Sequence, residues 1–485
     1  MDDDGQEARG TALATGDAVL ATIADYVVAP LGGADAALRM AGWDFMDAMA
    51  VAMAALDDPE CWKLVGPFWS DGAGATAGVR LVGTRYRLNP AEAAFALGSM
   101  IRWLDFNDAF LGREWGHPSD NLGAILPAAE WATAARRARG REPLVMRDVL
   151  EAMVRAHEIQ GALTLDNSLN AVGIDHVAFV KLASTAVVTH LWGGDRTAVL
   201  HALSQAVADG GTLRVYRHGP ATGWRKSWAA GDAASRAVWL AALTLRGERG
   251  YPEAVAMPRW GFQDVVLRGS PLRLERPLGH DVMEHVLFKV PYPSEYHGQT
   301  AIEAAVRLRP AVAERLEAVR RIRIRTQESA ARIIDKRGPL DNPAARDHCL
   351  QYMVAVALLY GRVDAEHYRD PVAQDPRIDA LRDKMVVEVD AGFTRDYLDP
   401  AKRSVANAIR VEFDDGSTTE EVVVEYPLGH PRRRAESREP LERKWRAGLG
   451  RRLPAARVDA LFTLFDDWDR FCATPVDEII DHLVP

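Results

Sequence analysis

The stretch VRRIRIRTQES, residues 319–329, alternates apolar and polar side chains. This alternation predicts a half-buried β-strand, because successive side chains of a strand point to opposite faces. Residues 409–426, IRVEFDDGSTTEEVVVEY, predict two more strands around a turn that contains Asp415 and Gly416. ARDHCLQYMVAVALLYG (345–361) and RIDALRDKMVV (377–387) predict helices between these strands. The chain from about residue 280 is therefore predicted to form an α+β unit.

The chain before this unit has a different period. Apolar residues recur at spacings of three and four in residues 17–31, 36–56 and 90–104, which predicts helices packed on helices. Asn89, followed by Pro90 and Glu92, predicts the start of one helix. Asp120, Asp175 and Asp232 are predicted to cap three others, because each carboxylate can accept from amides that lack a partner in a first turn.

Helical periodicity returns after residue 427, in EPLERKWRAGLGRRL and VDALFTLFDDWDRF. The predicted fold class is predominantly α, with a large all-helical domain and an inserted smaller α+β lid domain. The predicted bounds are 1–277 for the first part of the helical domain, 278–428 for the lid, and 429–485 for C-terminal helices that rejoin the helical domain. A cleft between two such units is a common place for a small-molecule site.

Charge and hydropathy exclude several classes of protein. The net charge is -9 and the pI is near 5.9, which argues against a nucleic-acid partner. The basic run Arg432 to Arg434 is read as a solvated turn, because Glu436 and other carboxylates follow it. No window reaches the roughly 18 apolar residues of a membrane span. The acidic beginning, residues 1–11, carries no signal-peptide or transit-peptide pattern, so we expect a cytoplasmic protein.

The three cysteines, Cys61, Cys349 and Cys472, are far apart and form no C-x-x-C pair. This distribution fits a reducing compartment and lacks the thiolate spacing of an aconitase-type iron–sulfur cluster. No phosphate-binding loop and no dinucleotide fingerprint occur either. We also discount the E-x-x-H spacing of Glu114 and His117 as a metal motif, because the glycine and proline around His117 break the helix that such a motif needs. The sequence therefore carries no motif for an iron–sulfur cluster, a nucleotide or a nicotinamide cofactor.

The densest set of reactive side chains is DFNDAFLGREWGHPSD, residues 105–120, between two predicted helices. Asp105 is expected at the end of a helix, where the dipole and shielding from water would raise its pKa and suit it to act as an acid or a base. His117 precedes Pro118, which predicts an extended backbone and an imidazole directed into a cleft. His176 opens a helix, where a lowered pKa would leave it neutral and able to accept a proton.

Cations that could bind carboxylates occur in two places. Arg225 and Lys226 follow a glycine ahead of a predicted helix, a plausible clamp for a carboxylate. Lys289, His297, Arg346 and His348 form a second basic group in the predicted lid. Each of these residues could equally be a solvated or structural side chain, and only closure of the lid over the helical domain would bring the two groups together.

Several long strings resemble the MmgE/PrpD family. They are residues 105–130, 159–185, 223–238, 283–290 and 342–362, in the family's order. The resemblance runs from about residue 90 to residue 434. It implies a helical domain with a smaller lid, a homodimer, and no metal or organic cofactor. The implied activity is elimination of water from a small tricarboxylate, 2-methylcitrate, to give 2-methyl-cis-aconitate in propionate breakdown, with some action on citrate allowed.

The resemblance also assigns residues. The active-site aspartate of the family falls on Asp105 and the histidine of its HPSD loop on His117, while His176 and Lys226 lie in further matching segments. Asp105 and His117 are expected to share proton transfer, with either as the acid. Arg225, Lys226 and Lys289 are expected to bind the carboxylates and stabilise enolate-like charge, with His297 and Arg346 as further substrate-binding candidates.

Three alternatives remain open at this point. A decarboxylase of the same family acts on cis-aconitate, but it carries Lys and His where this chain has Ser235 and Arg236. An isomerase or epimerase of small polycarboxylates would use the same acid and base. A non-catalytic helical interaction protein would need none of these groups. Ala109 stands where similar enzymes often have Thr, which leaves the details of substrate choice open.

Overall fold

The computed structural model describes residues 17–68, 78–218, 222–399 and 401–485. The acidic residues 1–11 lie outside these ranges. The N-terminal helices include Ala18–Val28, Asp35–Ala55, Pro59–Trp62, Pro90–Trp103, Leu122–Arg137, Met146–Asp166, Val177–Leu191, Arg196–Ala208, Val215–His218, Arg225–Leu245, Phe262–Val265 and Asp281–Glu284. None of the described helices is long and apolar enough to cross a bilayer.

Later in the chain, helices alternate with the main strands. The helices are Gln299–Val312, Glu328–Ile334, Pro343–Arg346, Leu350–Tyr360, Asp370–Ala373, Pro376–Arg382, Ala391–Leu398, Arg434–Leu449, Ala455–Asp466, Trp468–Ala473 and Val476–Leu483. Short 3₁₀ turns are Pro118–Asn121, Asn170–Val172, Tyr296–Gly298, Ala313–Arg315, Ala365–Tyr368 and Pro431–Arg433. The strands are β1 Val79–Arg80, β2 Arg87–Leu88, β3 Phe110–Leu111, β4 Trp115–Gly116, β5 Val319–Thr326, β6 Met385–Val389, β7 Asn407–Phe413 and β8 Val422–Val424. The predominantly helical fold class with a small mixed sheet is confirmed.

The three predicted strands, β5, β7 and β8, join β6 in one four-stranded sheet in the order β6-β5-β7-β8. β5 pairs in parallel with β6 and antiparallel with β7, and Ile324 stands opposite Ile409. Ile322 and Ile324 are buried, as the alternation predicts. The predicted helix 377–387 is only partly correct, because it ends at Arg382 and its last residues form β6. The β-branched valines there suit a strand, since they lose little side-chain freedom in it.

Two apolar cores organise the chain. The larger one draws on N-terminal helices, on Met283, Val286 and Phe288, and on C-terminal helices that contribute Leu441 and Trp445. The smaller core lies between residues 301 and 424, where helices Gln299–Val312 and Leu350–Tyr360 pack with the sheet. Burying one large apolar side chain, such as that of Leu441 or Phe288, stabilises the fold by about 1.5–3 kcal/mol.

Three helices that lead to the site meet at glycines. A Cβ on Gly98 would lie 2.8 Å from Cα of Gly231, and a Cβ on Gly123 would lie 2.7 Å from Cα of Gly98. Real Cβ atoms do not approach other atoms this closely, so the three backbones touch at a distance that only glycine permits. This crossing fixes the helices Pro90–Trp103, Leu122–Arg137 and Arg225–Leu245 against one another.

The predicted caps have mixed outcomes. Asn89 accepts from the amides of Ala91 and Glu92 at 3.1 and 3.0 Å, which confirms that cap. Asp175 accepts from the amide of Val177 at 3.3 Å, so it also meets a first turn.

The other two caps are wrong. Asp120 is buried and accepts from Asn107 at 3.3 Å, and no side chain caps the helix that follows. Asp232 lies inside the continuous helix Arg225–Leu245 and pairs with Arg225 at 2.9 Å. An interior carboxylate with a cation seven residues away mimics a cap in sequence alone.

Candidate active site

A cavity of about 590 Å³ lies between the loop 105–120 and the unit that contains the sheet. Its charged lining has seven Arg and Lys residues and three carboxylates: Arg102, Arg113, Arg214, Arg217, Arg332, Lys336 and Arg337, with Asp105, Glu295 and Asp335. The excess of four positive charges suits a small anion with several carboxylates. We call this space the anion cavity.

Asp105 lies directly after the helix Pro90–Trp103 and has a left-handed backbone, with φ of 49°. Its carboxylate lies 2.9 Å from Nη1 of Arg102 and 3.1 Å from Nζ of Lys226, and it also pairs with Lys289. Lys289 donates a further hydrogen bond of 2.8 Å to the Asp105 carbonyl. Cations from three distant parts of the sequence therefore surround one buried carboxylate.

The expected direction of the Asp105 pKa is wrong. Burial opposes ionisation of this carboxyl, but the charges of Arg102 and Lys289 outweigh it and hold the pKa well below its usual range. The sequence indicated the end of a helix correctly, but it did not indicate the cations. Asp105 is thus an anion that orders the cations around it.

Lys226 joins the two units of the fold. It is fully buried and donates to both carboxylate oxygens of Asp347, at 2.8 and 2.7 Å. Asp347 accepts a hydrogen bond of 2.6 Å from Nδ1 of His348. The other ring nitrogen of His348, Nε2, lies 3.6 Å from the Asp105 carboxylate. Burial and the charge of Lys226 together lower the pKa of His348 to about 4. This imidazole is therefore neutral at pH 7.

His117 lines the anion cavity from the start of the 3₁₀ turn Pro118–Asn121. Its Nδ1 lies 2.6 Å from the carbonyl oxygen of Asp108. A carbonyl can only accept, so Nδ1 carries the proton and Nε2 keeps a free lone pair. Burial lowers the pKa of His117 well below its usual value, with the charges of Arg102 and Lys289 adding to the effect. The arrangement is a neutral base with a fixed tautomer.

His176 lies beside His117, with the two ring centroids 5.7 Å apart. Its Nε2 is 3.5 Å from Nη2 of Arg217, which itself binds Asp175 at 2.5 Å. Nδ1 of His176 has no hydrogen-bond partner among the described residues. Burial lowers the pKa of His176 to about 3. The expectation that this histidine is neutral is confirmed.

All five predicted substrate-binding residues lie outside the lining, and Lys226 is held between Asp105 and Asp347. Lys289 is buried behind Asp105, and Arg225 lies at the surface, 4.2 Å from the ring of Trp228. His297 is buried against Glu295 at 2.7 Å and Tyr397 at 3.1 Å. Arg346 donates to Tyr368 and Asp370.

The sequence did not single out most of the cations that line the cavity. Arg102 is 2% exposed and its Nε makes no hydrogen bond within the described chain, so it keeps donors for a ligand. Its place three residues before Asp105 was the available signal. Arg217 and Lys336 lie 97 and 216 residues beyond the end of the loop 105–120, and no local pattern links them to it.

Two groups of side chains have metal-type donor atoms within 4.8 Å of one another: Asp105, Asp347 and His348, and Asp44, Asp108 and His157. In the first group the Lys226 ammonium lies against both carboxylates, where a metal ion would bind. In the second group the His157 imidazole lies between the two carboxylates. A basic side chain of the protein, Lys226 or His157, therefore already lies among the donor atoms of each group.

Comparison of the sequence with known proteins identifies its family. Residues 21–275 match the model of the MmgE/PrpD N-terminal domain and residues 292–470 match that of the MmgE/PrpD C-terminal domain. The chain is 50% identical to 2-methylcitrate dehydratase of Escherichia coli K12, over 96% of this chain and 97% of the relative. It is 51% identical to 2-methylcitrate dehydratase of Cupriavidus necator, over 96% of each chain.

A fungal relative is more distant. The mitochondrial 2-methylcitrate dehydratase of Yarrowia lipolytica is 46% identical, over 96% of this chain and 90% of the relative. Both family models together cover most of the chain, and the relatives match along almost their whole length. The chain therefore belongs to the MmgE/PrpD family.

Proposed function

We propose that this chain is a hydro-lyase that removes water from 2-methylcitrate and yields 2-methyl-cis-aconitate in propionate catabolism. The observation that carries the proposal is the anion cavity, in which an excess of positive charge surrounds a neutral histidine with a free Nε2. The names and the near-complete coverage of the relatives support the same reaction.

The cations of the cavity bind the three carboxylates of the substrate in this proposal. Arg102, Arg217 and Lys336 line the cavity from three different parts of the chain, and each can meet a carboxylate. The cations also stabilise the negative charge that develops next to a carboxylate when the neighbouring carbon loses its proton. Preorganised charges of this kind are among the largest contributions to catalysis.

His117 is the proposed base. Its Nε2 takes the proton from carbon, the carbon–oxygen bond of the hydroxyl breaks as the double bond forms, and the imidazolium returns the proton to the departing hydroxyl as water. Asp105 holds Arg102, Lys226 and Lys289 in place and stays ionised throughout. His176 offers its Nδ1–H to the substrate. Acid–base assistance of this type contributes about 10²–10⁴-fold to the rate.

The substrate methyl group has a proposed place in the cavity. Ala109 and Leu111 line the cavity and pack with Tyr296, Leu287 and Val405 in a small apolar cluster. This wall belongs to the same lining as the cations, and the substrate methyl is proposed to contact the small Ala109 side chain. Burying one such group is worth about 0.8 kcal/mol.

The deciding experiment uses purified, chelator-treated protein incubated separately with 2-methylcitrate, citrate and cis-aconitate. Ultraviolet absorbance follows the unsaturated product, and carbon dioxide is measured in parallel. We expect absorbance to rise with 2-methylcitrate and no gas to form. Gas from cis-aconitate would instead indicate the decarboxylase, and no reaction with any of the three would reject both.

The finer features of the protein are also proposals. We propose a cytoplasmic homodimer that needs no cofactor, in which residues 278–428 act as a lid on a helical body made from 1–277 and 429–485. Three buried free cysteines support a reducing compartment. The contact of Lys226 with Asp347 supports lid closure over the site. Light scattering after size-exclusion chromatography would measure the mass, and a monomer would contradict the dimer.

A further inference from the structure

A second charged cluster lies behind the loop 105–120, on the side away from the cavity. Asp44, Asp108 and His157 are at most 1% exposed. Nε2 of His157 lies 3.1 Å from Asp44 and 3.4 Å from Asp108, between their carboxylates. None of the three lines the anion cavity. The proposed mechanism makes no use of them so far.

His157 carries a proton on both ring nitrogens. Its Nδ1 lies 2.9 Å from the carbonyl of Met153, which can only accept, and its Nε2 faces two carboxylate oxygens. Burial lowers the pKa of His157, but the hydrogen bonds with Asp108 and Asp44 outweigh it and raise the pKa to about 9. The cluster is therefore an imidazolium between two carboxyl groups. Burial and the charge of Asp108 raise the pKa of Asp44 to about 7.

Asp108 connects this imidazolium to His117. Its carboxylate accepts from Oγ of Ser119 at 2.6 Å and from the Ser119 amide at 3.1 Å, while its backbone carbonyl accepts from Nδ1 of His117 at 2.6 Å. The same residue thus meets His157 through its side chain and the proposed base through its main chain. The Asp108 carboxylate holds Ser119, two residues beyond His117, while the Asp108 carbonyl fixes the His117 tautomer. A displaced carboxylate would release Ser119 and loosen the turn that begins at His117.

We propose that His157, together with Asp44, is a positioning residue that acts through Asp108 to hold His117 in the geometry and tautomer of a base. This inference rests on the proposed function, in which His117 takes a proton from carbon. An imidazolium at this place keeps the Asp108 carboxylate in one rotamer. A buried carboxylate without that partner would turn toward another donor, because an unpaired buried charge is costly.

The first test is His157→Gln in the full chain with 2-methylcitrate as substrate. We expect kcat to fall about 10–100-fold, since a base displaced by about 1 Å loses rate on this scale, with KM within about twofold of the wild type. The dissociation constant of tricarballylate, a tricarboxylate that lacks the hydroxyl, should not change. His367→Gln is the control, because His367 is also buried but lies outside the cavity lining; its kcat should equal the wild-type value.

A double-mutant cycle separates positioning from general damage. If His157 acts only through His117, His157→Gln has no further effect on the residual kcat of His117→Ala. A similar fold loss of kcat in both backgrounds would overturn the proposal, because it would mean that His157 affects the whole site.

Loss of folding is tested separately. Should His157→Gln unfold, Asp44→Asn combined with His157→Gln removes one charge of each sign and is expected to melt near the wild type while keeping the kcat defect. Full activity of this variant would reject the proposal. A stoichiometric metal in the wild type that His157→Gln loses would also reject it, because the cluster would then bind metal.

The outcome is distinct from a failure of the proposed function. Wild-type protein that dehydrates none of the substrates would reject the function itself. An active wild type with an inactive His117→Ala variant and a fully active His157→Gln variant would reject only the positioning role.

Discussion

On its cavity side the loop 105–120 meets cations at Asp105, whose carboxylate pairs with Arg102, Lys226 and Lys289. On its far side Asp44 lies against His157, and Asp47 pairs with Lys444. Histidines on the two sides are equally buried, yet their pKa values move in opposite directions. Burial, with the cavity cations, lowers the pKa of His117 well below its usual value. On the far side the two aspartates that hydrogen-bond His157 overcome burial and raise its pKa to about 9. The sign of the neighbouring charges decides the outcome.

Removing the neutral histidine of the cavity side should have the largest effect. We expect His117→Ala to lower kcat about 10²–10⁴-fold, because the base is lost while the cations still bind substrate. Steady-state kinetics with 2-methylcitrate measures it. His285→Ala is the control, since His285 is half exposed and lies outside the anion cavity. Near-normal turnover of His117→Ala would show that His117 is not the base.

Removing a cation from the cavity side should weaken the fold. Lys226→Met leaves Asp105 and Asp347 with one partner fewer, and breaking a buried ion pair in this way costs about 3–5 kcal/mol of the free energy of unfolding. A urea titration measures the loss. Adding Asp347→Asn should recover part of it, because Asp105 keeps Arg102 and Lys289.

The exposed pair of Lys63 with Glu60 provides the control for that measurement. Lys63→Met should leave the urea midpoint unchanged, since solvent screens an exposed pair. Equal shifts of the urea midpoint for Lys63→Met and Lys226→Met would mean that the buried ion pairs around Asp105 stabilise the fold no more than an exposed pair does.

The pH dependence of kcat tests the charge of the cavity directly. A base with an ordinary histidine pKa would lose activity as the pH falls through about 6.5. The pKa of His117 is lowered, so the neutral form persists below that pH and kcat should stay level through 6.5, falling only at clearly lower pH. An acid limb centred near 6.5 would show that the cations do not control His117. Saturating substrate at each pH keeps binding out of the measurement.

The smallest expected effect concerns the apolar wall. Ala109→Ser adds a hydroxyl at the proposed methyl position and should lower the preference for 2-methylcitrate over citrate, measured as the ratio of kcat/KM, by about 10-fold or less. Ala171 also lines the cavity, next to the polar Asn170, and Ala171→Ser is the control. An equal change of the ratio in both variants would place the methyl elsewhere.

Local signals in the sequence predicted local structure well. The Asn89 cap is confirmed because its partners lie within three residues. The alternation in 319–326 is confirmed because the side-chain period of a strand follows from its own backbone, although the partners of the strand lie far along the chain. The failed caps have the same origin as the successes: Asp120 and Asp232 look like Asn89 in sequence, but their partners are Asn107 and Arg225. A short pattern does not distinguish a helix start from an interior ion pair.

The site was predicted in part for a related reason. The loop 105–120 concentrates its reactive groups in sixteen consecutive residues, so Asp105 and His117 were visible in the sequence. The pKa of Asp105 was misjudged, because Lys226 and Lys289 lie 121 and 184 residues further along the chain. Most of the cavity cations were missed in the same way. Only the folded chain shows which distant charges meet.

The crossing of Gly98, Gly123 and Gly231 sets the relative position of the helices that lead to the site. Arg102 lies four residues beyond Gly98 and Lys226 five residues before Gly231, so each charge is about 6–8 Å of helix from the crossing. A single methyl there would tilt both helices, while Lys289 and Asp347 would keep their positions in another part of the chain. Three glycines outside the cavity lining thus determine where the helices that carry Arg102 and Lys226 can lie, and each of these positions accepts only glycine.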